Sequence, residues 1–217
     1  MSEVSTLVNS QGVKELSHDE VLTNSIAYQH YFNRYNEFTS THKSTLDIKE
    51  RLFPNLTGDT LVGPDKINLR TPSLYFIQDS FLQQEQDIED SKNENFAITF
   101  FHLGNKLSGH NGIVHGGLLA TLLDELTCRL AFLNFKSKRG VTANLNINYK
   151  QPTYTDNFVM IKCEIIKKQG RKCWVKGDVY KVDINDSNIE ASENLLTSCE
   201  VLVIEPKWVE KIQNGSE

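Results

Sequence analysis

Ser108-Gly109-His110-Asn111-Gly112-Ile113-Val114-His115-Gly116-Gly117-Leu118-Leu119-Ala120-Thr121-Leu122-Leu123-Asp124-Glu125 carries a glycine-rich loop with two histidines straight into a helical pattern. At about 100° per residue, Leu119, Leu122, Leu123, Leu126 and Leu130 align in one apolar stripe, the face that a helix presses onto another layer. The first N–H groups of such a helix have no partner inside it. Glycines leave them uncovered, so the junction attracts a carbonyl oxygen or an anion. Gly117, Ala120, Thr121, Asp124, Cys128 and Ala131 fall on the opposite side, a face of small residues with one carboxylate in its middle.

An isolated Asp on a helix is ordinarily a solvated surface charge. Around Asp124, however, the face lacks the Lys, Arg and Glu expected of solvent, and a carboxylate that another surface can approach closely suits general-base work. Glu125 falls on another side, nearer solvent, and is the alternative acid. His115 reads equally well as a structural histidine bound to loop carbonyls or as a proton carrier. Gly116 and Gly117 allow the backbone to approach a ligand, and the helix dipole adds about half a positive charge there. Backbone donors aimed at a developing oxyanion supply on the order of 3 kcal/mol.

Distance then constrains the site. Gly116 and Asp124 are eight residues apart, so at ~1.5 Å per residue they stand about 12 Å apart along one helix. A single carbonyl cannot touch both. A working site therefore pairs the glycine end of one subunit with the Asp of another, which a two-fold dimer with antiparallel central helices supplies twice over.

Downstream, Val141 to Lys150 alternates apolar and polar without a break until Pro152, the period of a strand with one buried face. Strict alternation puts Thr142 on the polar face with Asn144 and Asn146. Phe158 to Lys167 and Arg171 to Val182 read as a hairpin closed by Lys168-Gln169-Gly170, and Leu195 to Ile204 as the last strand. Upstream, Ser73 to Leu82 and Phe96 to Leu103 read as the first two strands, separated by a polar, acidic insert. This order predicts an α+β fold with an antiparallel sheet and one helix on one face.

Ser17-His18-Asp19-Glu20 is a capping-box signature, so a helix should follow to about Phe38. Tyr28, Tyr31, Tyr35 and Phe38 form an aromatic seam that should pack on the main domain or on a partner chain. Residues 39–70 hold Pro54, Gly58, Gly63 and Pro64 among polar residues and read as a connector. The chain thus divides into an N-terminal helical extension and connector (1–70), a main domain (71–205) and a C-terminal tail (206–217).

Its 217 residues can bury a full core, and a net charge of −5 with pI near 5.7 gives no support to nucleic acid as a partner. Cys128, Cys163, Cys173 and Cys199 show no Cys-x-x-Cys pairing, which suits reduced thiols. No run approaches the ~20 apolar residues of a transmembrane segment, and the N-terminus lacks a signal core or an Arg-rich transit pattern. The expected location is cytoplasmic, with a mitochondrial one as the alternative. His102, His110 and His115 share no helix face and have no carboxylate at ligand spacing, so no metal is expected.

Gly112-Ile113-Val114-His115-Gly116-Gly117 through Asp124, followed by Val141-Thr142-Ala143-Asn144-Leu145-Asn146-Ile147-Asn148-Tyr149-Lys150-Gln151-Pro152, resembles the hotdog-fold acyl-CoA thioesterases of the thioesterase superfamily. The likeness covers roughly residues 71–205. It implies an antiparallel sheet wrapped around one long central helix, a homodimer and in many cases a dimer of dimers, and hydrolysis of acyl-CoA to free acid and CoA. No cofactor is implied, CoA being part of the substrate.

The resemblance assigns the carbonyl-polarising N–H to Gly116, and assigns Asp124 of the other subunit to activate water or to attack directly. Thr142 would help to position the water. Relatives make a substrate contact six residues before the His, where this chain has Gly109, so His110 and Asn111 are the candidates for it. Lys150, Arg171 and Lys172 are candidate partners of CoA phosphates, with Lys136, Lys138 and Arg139 as a second patch. The competing functions are a non-catalytic acyl-CoA or lipid-binding module and an enoyl-CoA hydratase-type enzyme, because one fold hosts several chemistries.

Overall fold

In the computed structural model, residues 16–48, 56–82, 87–88 and 95–208 are described below. Residues 1–15, part of the stretch read as connector (49–55), most of the acidic insert and the end of the tail lie outside them. The capping box forms as the spacing predicts: Ser17 Oγ accepts the Glu20 N–H at 3.2 Å, and the Glu20 carboxylate accepts the Ser17 N–H at 2.9 Å. The helix it starts, α1 (His18–Thr23), is short. Ser25 takes an extended conformation, accepts the Tyr28 N–H at 3.0 Å and so caps a second helix, α2 (Ile26–Thr41). One expected helix is two because a second capping serine interrupts it.

Eleven further elements follow. They are β1 (Ile67–Arg70), β2 (Leu74–Ile77), α3 (Asp79–Leu82), β3 (Asn95–Leu103), β4 (Ser108–His110), β5 (Ile113–Val114), α4 (Gly116–Leu133), β6 (Val141–Tyr149), β7 (Asn157–Gln169), β8 (Lys172–Lys181) and β9 (Leu195–Ile204). Seven strands form one antiparallel sheet in the order β1-β3-β7-β8-β9-β6, with β2 pairing the other half of β3. β4 and β5 form a separate small ribbon that delivers the chain into α4. Two expectations need correction here. The sheet begins at Ile67, inside the stretch read as connector, and the segment 73–82 is a four-residue strand followed by a helical turn at Asp79, not one long strand.

α4 lies on the inner face of the sheet. The predicted stripe of Leu119, Leu122, Leu123, Leu126 and Leu130 is buried against Val159, Ile161, Val175, Val179, Val201 and Val203. Each such side chain contributes about 1.5–3 kcal/mol on burial. Helix and sheet approach closely at Gly177 of β8, where a Cβ would stand 2.9 Å from Leu123 Cδ2 and 2.8 Å from Cys199 Sγ. Any larger residue there would force those side chains to shift.

The other face of the sheet is also covered, over part of its width. Tyr28, Tyr31 and Phe38 of α2 pack with Leu22 on Phe76, Phe96, Phe100 and Met160. The aromatic seam therefore binds the chain's own domain. All nine residues of β3 are buried, since that strand has a helix layer on each side. Farther along the outer face, β7, β8 and β9 carry Lys162, Glu164, Lys176, Asp178 and Glu200 instead.

Candidate active site

The loop-to-helix junction is built around one imidazole. His115 is the N-cap of α4, with φ −60° and ψ 125°, and its Nδ1 accepts the Gly117 N–H at 2.9 Å. An Nδ1 that accepts leaves the proton of the neutral ring on Nε2. Glycines flank the ring because nothing larger fits: a Cβ at Gly109 or at Gly117 would come within 2.9 Å of it. Gly117, read from sequence as a substrate donor, thus spends its N–H on the cap and its missing side chain on the histidine. The His115 carbonyl accepts from Leu118 and Leu119. The Gly116 N–H, first in the helix, is left without an acceptor among the described residues.

Tyr149, at the end of β6, fixes that position from the side. Its hydroxyl donates to the Gly116 carbonyl at 2.8 Å, and its ring lies 3.3 Å from where a Cβ of Gly116 would be. Sequence reading placed Tyr149 only within a strand. Its contact depends on how β6 lies against the start of α4, which no local pattern encodes.

Two turns along α4, Asp124 is half-buried and receives a hydrogen bond from Thr142 of the same chain, Thr142 Oγ1 to Asp124 Oδ1, at 2.6 Å. Strict alternation would send Thr142 to the polar face. The pairing of β6 with β9 instead slips between Thr142, opposite Val203, and Asn144, opposite Leu202. This bulge leaves Ala143 as an extra residue and turns Thr142 to the inner face with Leu145 and Ile147. Cys128 Sγ lies 2.9 Å from the same Thr142 oxygen, and burial pushes its thiol up to about 11. Asp124, Thr142 and Cys128 form one cluster.

The rest of the small-residue face is as drawn from sequence, except that Ala131 is fully buried. Glu125 is not the solvent-side acid expected. It accepts from Thr57 and Arg129 and lies 3.8 Å from Arg70, with 12% of its side chain exposed. The connector closes over that side of α4, which removes Glu125 from any open surface.

His110 and Asn111 are exposed at the tip of the β4–β5 ribbon, beside Gly112 at φ +73°. The candidate phosphate partners divide between two ends of the sheet. Lys172 pairs with Ile204, which pairs with Val141, whereas Lys150 follows Tyr149 at the far end of β6. Eight residues of strand, from Ile204 to Leu196 opposite Lys150, separate the two registers, roughly 26 Å at 3.3 Å per residue, so within one chain they cannot hold the same phosphates. Arg171 instead shares its end of the sheet with the Lys136–Arg139 loop: Glu205 accepts the Ser137 N–H and its carbonyl accepts from Arg171. Lys138 is occupied, donating to the Leu133 carbonyl at 2.7 Å at the C-terminus of α4.

Among the described residues one trio has metal-ligand chemistry, and it is not the one weighed from sequence. The ligating atoms of His18, His102 and Asp156 lie within 4.8 Å of one another. Asn68 Oδ1 accepts the Asp65 N–H at 2.8 Å, which turns its amide NH2 to His102 Nδ1 at 3.0 Å. His102 Nδ1 is therefore an acceptor, and its proton sits on Nε2, 3.7 Å from Asp156 Oδ1. A protonated nitrogen cannot ligate, so the trio does not fit a metal. It fastens α1 to β3 instead, with the two imidazoles 3.8 Å apart, and burial, then His18, lowers the His102 pKa to about 4.

Residues 111–187 match the sequence model of the Thioesterase superfamily. A Candida albicans protein named "Uncharacterized protein, mitochondrial" is 33% identical over 119 residues, 55% of this chain and 52% of that one. Saccharomyces cerevisiae "MIOREX complex component 3" is 34% identical over 105 residues, 48% of this chain and 39% of the relative. Mouse "Acyl-coenzyme A thioesterase THEM4" is 33% identical over 102 residues, 47% and 43% of the two chains. The chain thus spans about half or less of the length of these relatives. Of solved structures, a thioesterase superfamily protein from Shewanella loihica PV-4 is 24% identical with a TM-score of 0.41, covering 52% of this chain and 86% of that one. The matched stretch is the one that holds α4, β6, β7, β8 and the Asp124–Thr142 pair, and an antiparallel sheet packed on one long helix is the architecture that the resemblance implies.

Proposed function

We propose that this chain hydrolyses an acyl-CoA thioester to the free acid and CoA at a site shared by two copies of itself. The observation that carries this reading is the Asp124–Thr142 pair, joined at 2.6 Å on an open face of small residues, about two turns from an uncommitted Gly116 N–H. The Gly116 N–H of one subunit would receive the carbonyl oxygen as it gains charge. Asp124 of the other subunit would take a proton from water as the water attacks the carbonyl carbon and CoA leaves as its thiol.

The dimer this needs is supported by β6. It is a nine-residue edge strand, largely exposed on both faces, with Val141 at 38% and Tyr149 at 54%. An uncovered edge of that length invites a second strand, and two-fold pairing there would bring two α4 helices together antiparallel. Basic groups near the two ends of the sheet would meet CoA phosphates, Lys150 from one end and Arg171 and Lys172 from the other.

No helix among the described residues is long and apolar enough to cross a membrane. The names of two relatives place them in mitochondria, which supports the mitochondrial alternative for this chain over the expected cytoplasmic location.

A CoA-release screen over short, medium, long and aromatic acyl-CoAs tests the activity, with Asp124→Asn as control. The variant should fold and lose at least a hundredfold in turnover, on the order expected for removing a catalytic base. Unchanged CoA release in Asp124→Asn would sink the assignment of Asp124. Acyl-CoA binding with no CoA release at any chain length would favour a binding module, and loss of enoyl absorbance a hydratase.

A further inference from the structure

We propose that Cys128 is a positioning residue for the reaction: its thiol donates to Thr142 and thereby commits the Thr142 hydroxyl proton to Asp124. The inference rests on the thioesterase reading of Asp124, and it follows from a count of protons. The Thr142 hydroxyl has one hydrogen and two acceptor sites. At 2.6 Å from Asp124 Oδ1, its separation is that of a charge-assisted O–H···O⁻ bond, so the hydrogen lies there. Cys128 Sγ, 2.9 Å from the same oxygen, can then only donate. Burial keeps that thiol protonated at neutral pH, so it has a hydrogen to give.

The bond has a directional consequence. A hydroxyl with no second partner is free to rotate its proton toward water or substrate and leave the carboxylate uncovered. With the S–H on one of its lone pairs, rotation toward sulfur puts two hydrogens face to face, which removes one of the two alternatives to the Asp124 bond. The chain Cys128 S–H, Thr142 O–H, Asp124 carboxylate therefore has one low-energy sense. It holds Asp124 Oδ1 and leaves Oδ2 as the oxygen that can face water. Cys128 and Asp124 stand four residues apart on α4, so one rigid helix face carries both ends of the chain, and the β6 bulge brings Thr142 between them. Cys128 touches no reacting atom in this scheme.

The test uses the full-length protein and two readouts. Cys128→Ala should lower kcat for acyl-CoA hydrolysis by about two- to tenfold, the range for loss of one neutral hydrogen bond, with KM unchanged within twofold. Cys128→Ser, whose O–H can donate in the same way, should restore most of the rate. In a Thr142→Val background, Cys128→Ala should cost nothing further, because the group it acts through is gone.

The infrared S–H stretch isolated by subtracting the Cys128→Ala spectrum should lie at the frequency of a hydrogen-bonded donor and move to that of a free thiol in Thr142→Val. A wild-type rate in Cys128→Ala, a serine variant as slow as the alanine one, or a penalty that persists beside Val at 142 overturns the proposal. An S–H band that Thr142→Val leaves in place overturns it whatever the activity. Loss of the hydrolase reading alone shows differently, as no CoA release from any acyl-CoA by the wild-type protein with the band shift intact.

Discussion

Two inactive variants of this protein should make an active one when mixed. Gly116→Pro removes the N–H at the start of α4 that has no acceptor among the described residues, with little disturbance of the helix. Proline is favoured at the first helical position, and His115, at ψ 125°, already has the extended conformation required before proline. The added ring atoms press on Tyr149, which lies 3.3 Å from a Cβ at that position and is exposed enough to yield. Loss of an oxyanion donor costs on the order of 10²–10³ in turnover. Asp124→Asn removes the base.

If each site takes Gly116 from one subunit and Asp124 from the other, a dimer of one Gly116→Pro chain and one Asp124→Asn chain has one doubly damaged site and one intact site. Random pairing of equal amounts makes half of the dimers mixed, so about one site in four should be native, and CoA release should return to roughly a quarter of the wild-type rate. The two variants would be unfolded together, refolded and assayed by thiol titration, beside each variant refolded alone. A mixture no faster than the mean of its parents refutes the argument from the ~12 Å separation along α4.

Two further outcomes follow from packing and from charge. Gly177→Ala places a Cβ 2.8 Å from Cys199 Sγ, 2.9 Å from Leu123 Cδ2 and 3.2 Å from Thr127 Cγ2, so it should destabilise by about 1–3 kcal/mol. Thermal unfolding should show a loss of several degrees, and an unchanged Tm would mean that helix and sheet are not in close contact there. His102 has a folded pKa near 4 against about 6.5 unfolded, so between these values the unfolded chain binds the extra proton. Its contribution is present above pH 6.5 and falls away toward pH 4 by up to about 3 kcal/mol. Denaturant titrations of wild type and His102→Asn should differ in slope across that window, and parallel curves would exclude a buried neutral His102.

Much of this fold is written in spacing. The five leucines of α4 recur at helical intervals and are the buried ones, and Ser17 with Glu20 marks a helix start that forms. The hairpin link at Gly170 takes φ +53°, as a tight turn asks. The missing pieces depend on contacts distant in sequence. β1 is four residues, Ile67–Arg70, with no run of β-branched residues, and it is a strand because β3 offers it an edge. Ser25 looks like any serine in a helical stretch until the chain turns there. Glu125 is drawn inward by Arg70 and Thr57, residues more than fifty positions away.

Thr142 shows the same limit at the candidate site itself. Periodicity assumes that no residue is inserted, and the bulge at Ala143 breaks that assumption at the one place where the site needs it broken. Without the bulge, Thr142 would stand beside Asn144 on the outer face, and Asp124 would lose its Thr142 partner. The glycines carry a parallel lesson. Gly109 and Gly117 make room for His115, so Gly116 alone is spared for a ligand. Each half of the site is in this way set before any partner arrives: His115 and Tyr149 hold the Gly116 backbone, and Thr142 holds Asp124. In the proposed dimer α4 carries both halves as one continuous helix, so a two-fold axis beside it would complete the site without reshaping either half.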